Sequence, residues 1–232
     1  MTLGMADPVE MDILHMITAD PARTPTFTWF AKPDYFIFAG APNCNSPCVQ
    51  EQFGFAWNHG DITPDITVTW LGMVGPGVQQ IGVDNTTWSD HTDVRPTILA
   101  LIGHKDDYAH DGRALIEEFE GWAVPSALRN GRGITMQMAQ VYKQINAPVG
   151  QLGLATIEIS TRALNGSDPT YTDLENQLIS INSQRDSIAS KMIVMLESAE
   201  FNSQQINKTQ SKQLIDQGQA LLDQVNNLAA AP

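Results

Sequence analysis

From Leu174 onward, apolar residues return in alternating steps of four and three: Leu174, Leu178, Ile181, Ile188, Met192, Met195 and Ala199, with Arg185 standing in the single gap. That spacing keeps the side chains on one face of an α-helix. A second stripe follows through Leu214, Leu221, Val225 and Leu228, and residues 200–203 can turn the chain between the two. A helix with one apolar face needs something to bury it against, so the stripes predict an antiparallel helical hairpin that packs on itself or on the preceding chain. A partner-binding arm is the competing use of the same pattern.

The sequence upstream is written differently. All five His and all five Trp precede residue 123, whereas the chain from Tyr171 onward has no Trp and one Tyr. Residues 34–39 (Asp-Tyr-Phe-Ile-Phe-Ala) and 67–74 (Thr-Val-Thr-Trp-Leu-Gly-Met-Val) read as short buried strands, closed by Gly40-Ala41-Pro42 and Gly75-Pro76-Gly77. Residues 93–102 read as a helix. Thr92 or Asp93 caps it, Pro96 falls in its first turn, and Gly103 stops it. Strand, glycine turn and short helix together imply an α/β layer. The glycine-punctuated stretch 123–170, with one helix at 135–145, reads as a connector. Three regions result: 1–122, 123–170 and 171–232.

Charge narrows the partners. Thirteen Lys and Arg oppose 26 Asp and Glu, for a formal net charge of −13. Such a chain lacks the basic patch that a nucleic-acid backbone requires, and it is repelled by anionic membrane surfaces. No apolar run approaches the roughly 20 residues of a membrane span. Residues 1–10 carry no basic region and apolar core of a secretory signal. The methionines at 1, 5, 11 and 16 leave open that the chain continues upstream. Cys44 and Cys48 flank Asn-Ser-Pro, a spacing open to a short disulfide, to two free thiols or, least readily, to metal binding.

Chemistry concentrates between residues 55 and 115. A histidine before glycine, as in His59-Gly60, can aim its imidazole at a metal while the backbone bends sharply. Behind it come the 67–74 segment, Gly75-Pro76-Gly77, Asp90-His91-Thr92-Asp93, Pro96-Thr97, Gly103 and Asp111-Gly112-Arg113. In this order the pieces resemble the C-terminal end of the catalytic domain in the alkaline phosphatase superfamily, which includes phosphatases, nucleotide pyrophosphatase/phosphodiesterases and sulfatases. The resemblance implies the C-terminal part of a three-layer α/β sandwich, here followed by the helical hairpin. It implies a phosphoester hydrolase acting on a small phosphoester, with two zinc ions in the intact enzyme, one of them held by His59. Together with the cysteines it implies an extracytoplasmic or secreted setting.

The departures from the family pattern are as informative. Family catalysis needs a Thr or Ser nucleophile and further Asp and His ligands ahead of the histidine at position 59. Here Ala19-Asp20-Pro21 places proline where a second ligand would stand, and His15 is the only other upstream histidine. No catalytic residue is therefore assigned within this chain. Asp61 is read as supporting the turn or the metal's surroundings. Asp90, His91 and Asp93 are read as a helix cap, and Asp106, Asp107, His104 and His110 as a solvated turn. The alternative is a non-enzymatic protein in which the phosphatase-like part is a scaffold and the hairpin binds a partner or a second copy of the chain.

Overall fold

The computed structural model describes residues 2–37, 48–54 and 59–231. In chain order its elements are β1 (Thr2–Ala6), α1 (Pro8–Ile13), β2 (Thr28–Ala31), α2 (Pro64–Thr67), α3 (Val94–Ile102), α4 (Ser126–Arg129), α5 (Arg132–Asn146), α6 (Gln151–Asn165), α7 (Asp168–Phe201) and α8 (Lys208–Ala230). The molecule is mostly helical. Its sheet, among the described residues, is the antiparallel pair β1–β2.

The two long stripes form the hairpin α7–α8, and both faces are consumed within the chain. Leu178, Ile181, Met192 and Leu196 of α7 pack with Leu214, Leu221, Leu222 and Val225 of α8 in one buried cluster. The same cluster takes Met138, Tyr142 and Ile145 from α5 and Leu152, Ala155, Ile159 and Ala163 from α6. Burying each of the larger side chains contributes roughly 1.5–3 kcal/mol. Gly218 lets α8 approach α5 closely: a Cβ there would stand 2.5 Å from Val141 Cγ1. Arg162 of α6 closes the end of α8 by donating to the carbonyls of Leu228, Ala229 and Ala231 at 2.6–3.0 Å. A cation there also complements the helix dipole.

This packing changes the meaning of 123–170. Rather than a spacer, the stretch is largely two core helices, α5 and α6. The Leu152, Ala155, Ile159, Ala163 stripe was present in the sequence, but Gly150 and Gly153 obscured it. Both glycines allow close backbone contact at the start of α6, where a Cβ on Gly153 would stand 2.1 Å from Pro148 O. The hairpin turn also falls later than expected, after Asn202, because α7 continues far enough to bury Phe201 in a second cluster with Ile116, Phe119 and Leu128.

The upstream α/β layer is the main correction. Residues 35–37 form no strand, and 38–47 lie outside the described residues, as does Cys44 of the Cys44–Cys48 pair. The 67–74 segment begins as the last residue of α2 and then runs as irregular chain. A strand needs a neighbour for its backbone N–H and C=O groups. No described strand lies beside it, and the nearest ladder contact is the single bridge Val78–Phe119. The helix expected at 93–102 is present as α3, with Gly103 left-handed (φ 71°) after its last turn.

Candidate functional site

His59 lies on exposed chain ahead of α2, next to Gly60 at φ 87°. Asp61 accepts from Ile62 N at 2.7 Å, a local turn contact. Among the described residues, no His, Cys, Asp or Glu joins His59 in a group of three with metal-ligand spacing.

The remaining motif residues converge elsewhere. Asp90 and Asp93 cap each other's ends of a single 3-10 turn: Asp90 Oδ1 accepts from Thr92 N (2.9 Å), and Asp93 Oδ2 accepts from Asp90 N (3.1 Å). Asp93 Oδ1 also accepts from Arg113 N at 2.9 Å, and Thr97 Oγ1 accepts from Leu115 N at 3.0 Å. Arg113, fully buried, pairs with Glu117 and donates to Trp88 O. Lys143, on α5 and 1% exposed, reaches this knot from the helical side. Its Nζ lies 2.9 Å from Asp90 Oδ2, 3.1 Å from Asp93 Oδ1 and 2.9 Å from Thr92 Oγ1. The expected cap thus falls on the 3-10 turn and not on α3, whose N-terminal Asp93 makes no side-chain bond to it, and the two carboxylates also anchor a buried cation. Sequence reasoning passed over Lys143. A lysine among Val141, Tyr142 and Ile145 was the available signal.

The turn at 104–110 is more structured than a solvated loop. Arg95 donates to both oxygens of Asp106 (2.9 and 2.7 Å), holding that carboxyl well below its usual range. His110 Nε2 lies 3.2 Å from Asp106 Oδ2. His91 and His104 remain exposed.

The gap in the α7 stripe has a specific cause. Arg185, 3% exposed, forms the floor of an open cleft of about 420 Å³ whose lining includes Asp12, His15, Asp111, Asn146 and Asp186. Its guanidinium donates to Asn182 Oδ1 at 2.5 Å and Asn146 Oδ1 at 3.4 Å, and stands 3.1 Å from His15 Nε2. Asp186 Oδ1 faces its Nε at 2.9 Å. His15 Nε2 is also 2.8 Å from Asn146 O, while Nδ1 faces Asp111 Oδ2 at 4.0 Å. The cleft could hold a small polar molecule. It does not assemble a nucleophile: no hydroxyl or thiol of a described residue hydrogen-bonds His15 in the way acyl or phosphoryl transfer would need. The chain matches no family model, no curated protein and no solved structure.

The carboxyl of Glu200 is strongly displaced. Full burial pushes Glu200 up to about 8, against the opposing hydrogen bond from Ala114 N and the charge of Arg113; Glu197 and Asp93 add to the rise. The folded state therefore holds a proton that the unfolded chain releases near the ordinary carboxylate pKa. The stability this contributes is fully present below that pKa and falls as pH rises toward about 8. Glu200→Gln should flatten that decline. Urea midpoints measured from pH 5 to pH 9 should converge at low pH and separate at high pH, with the variant the more stable; a wild-type decline left unchanged in the variant refutes this assignment.

Proposed function

We propose that this chain is the C-terminal portion of a metal-dependent phosphoester hydrolase of the alkaline phosphatase superfamily, with His59 as its contribution to the metal centre. The observation that carries the reading is the segment behind His59. Val68, Trp70 and Val74 are 76–101% exposed. So long an apolar, β-branched run in water is unusual, and it has the composition of a strand buried on both faces of a parallel sheet. In this reading the segment completes a sheet whose other strands lie outside the 232 residues. The knot formed by residues 90–115, which gathers Asp90, Asp93, Thr97, Gly112 and Arg113, supports it as a framework.

His59 by itself does not fit two zinc ions, and no step of hydrolysis follows from this chain alone. Bound zinc would supply Lewis acidity and a hydroxide at neutral pH. The substrate would be a small phosphoester and the setting extracytoplasmic, with Cys44 bridged to Cys48. The interaction-protein alternative keeps the missing nucleophile as its ground but loses the striped hairpin as a free surface, because both stripes are buried in the chain's own core.

The purified 232-residue chain should turn over no chromogenic phosphoester. In a longer protein that carries the nucleophile, His59→Ala should lower bound zinc and turnover by orders of magnitude. His91→Ala, at an exposed position outside the Asp90–Asp93 bonds, should leave zinc and turnover nearly unchanged. Chelator-sensitive turnover by the isolated chain, or equal zinc loss in the two variants, overturns the proposal.

A further inference from the structure

One buried cluster is electrostatically incomplete. Helix α1 opens with a capping box: Asp7 Oδ1 accepts from Val9 N and Glu10 Oε2 from Asp7 N, both at 2.9 Å. Glu175 arrives from α7, so that carboxylate oxygens of Asp7, Glu10 and Glu175 all lie within 4.8 Å of one another. Tyr171, one turn before Glu175, donates to Asp7 Oδ2 at 2.5 Å. No Lys, Arg or His among the described residues forms an ion pair with any of the three.

The independent indication comes from unmet hydrogen bonding. Glu175 is 8% exposed and Glu10 fully buried, yet Oε1 of each is sealed from solvent without a donor. A buried carboxylate oxygen without a donor is costly, and two of them beside a third carboxylate require positive charge from somewhere. Burial, the hydrogen bond with Asp7 and the charges of Glu175 and Asp7 push Glu10 up to about 9, and burial together with Asp7 raises Glu175. Protons can supply that charge in the empty site; a divalent cation bound by all three carboxylates would supply it in their place.

We propose that Asp7, Glu10 and Glu175 form a binding site for a hard divalent cation of the calcium or manganese class. The donors are all oxygen, which suits calcium or manganese and lacks the nitrogen and sulfur that zinc prefers. Two oxygens bound to one ion at about 2.3–2.6 Å stand no more than about 5 Å apart, so the observed spacing needs little rearrangement. The Tyr171 hydroxyl and the capping-box N–H groups hold two of the carboxylates in place, as outer partners do in metal sites. The site joins the start of α1 to α7, so occupancy would fasten the N-terminal segment to the bundle. It is independent of His59 and of the hydrolase reading.

The test uses the full chain, stripped with chelator and titrated with Ca²⁺ or Mn²⁺ by calorimetry and thermal unfolding. The expected result is one ion per chain and a melting temperature that rises with metal concentration. Glu175→Gln should weaken binding at least tenfold, while its metal-free melting temperature equals or exceeds that of the wild type. Mn²⁺ should broaden the ring resonances of Tyr171 before those of Tyr108, a readout that needs no variant. A wild type with no metal-dependent shift, meaning that protons alone hold the cluster, overturns the proposal. So does binding of equal strength in Glu175→Gln, which would place the ions elsewhere on the acidic surface.

Discussion

Lys143→Met will shift the urea midpoint of this chain further than any surface substitution, with an expected loss of about 3–5 kcal/mol. The lysine is 1% exposed and its ammonium group is shared by Asp90, Asp93 and Thr92. Methionine keeps the stem and removes the charge. Asp93, fully buried, would then keep its hydrogen bonds from Arg113 N and Asp90 N but lose its counter-ion. Leaving one partner of a buried pair uncompensated is what makes the change costly, since a well-packed apolar replacement of both partners can be nearly neutral. Adding Asp93→Asn to Lys143→Met should therefore recover part of the loss. If the single variant unfolds within about 1 kcal/mol of wild type, the pairing is not what joins the 90–115 knot to α5.

Gly112→Ala should be nearly as damaging for a different reason. A Cβ at this position would stand 1.9 Å from Thr92 O and 2.4 Å from Thr92 C, both backbone atoms that cannot swing aside. The 110s segment would have to move away from the turn that precedes α3, straining the Arg113 N to Asp93 bond and the Leu115 N to Thr97 bond together. A loss of about 3 kcal/mol is expected. Gly133→Ala provides the contrast. It lies inside α5 with nothing within 4 Å of the added methyl, so it should raise stability by roughly 0.5–1 kcal/mol. Equal effects of the two substitutions on the urea midpoint would show that the knot yields more readily than its contacts imply.

Local pattern determined α3 and the two long helices of the hairpin. The four-and-three spacing from Leu174 to Ala199 specifies an amphipathic helix whatever surrounds it, because the period belongs to the backbone and not to the neighbours. The same holds for α3, where Pro96 and Gly103 mark start and stop through their own φ preferences. An acidic cap at Asp90–Asp93 was legible for a similar reason, but its bonds close the 3-10 turn His91–Asp93; the side-chain cap expected on α3 itself is not made. Tertiary structure decided the rest. Residues 67–74 have strand composition, but a strand exists only when another backbone supplies its hydrogen bonds, and none of the described strands lies beside it. Arg185 looked like a flaw in a stripe; only the meeting of α1, α5 and α7 made it the floor of a cleft. Glu175 lies more than 160 residues beyond the Asp7–Glu10 capping box, so no spacing rule could join it to them. Lys143 takes its partners from a turn about 50 residues upstream. Periodicity reports which face of an element is apolar, whereas the pairing of buried charges depends on which faces finally meet.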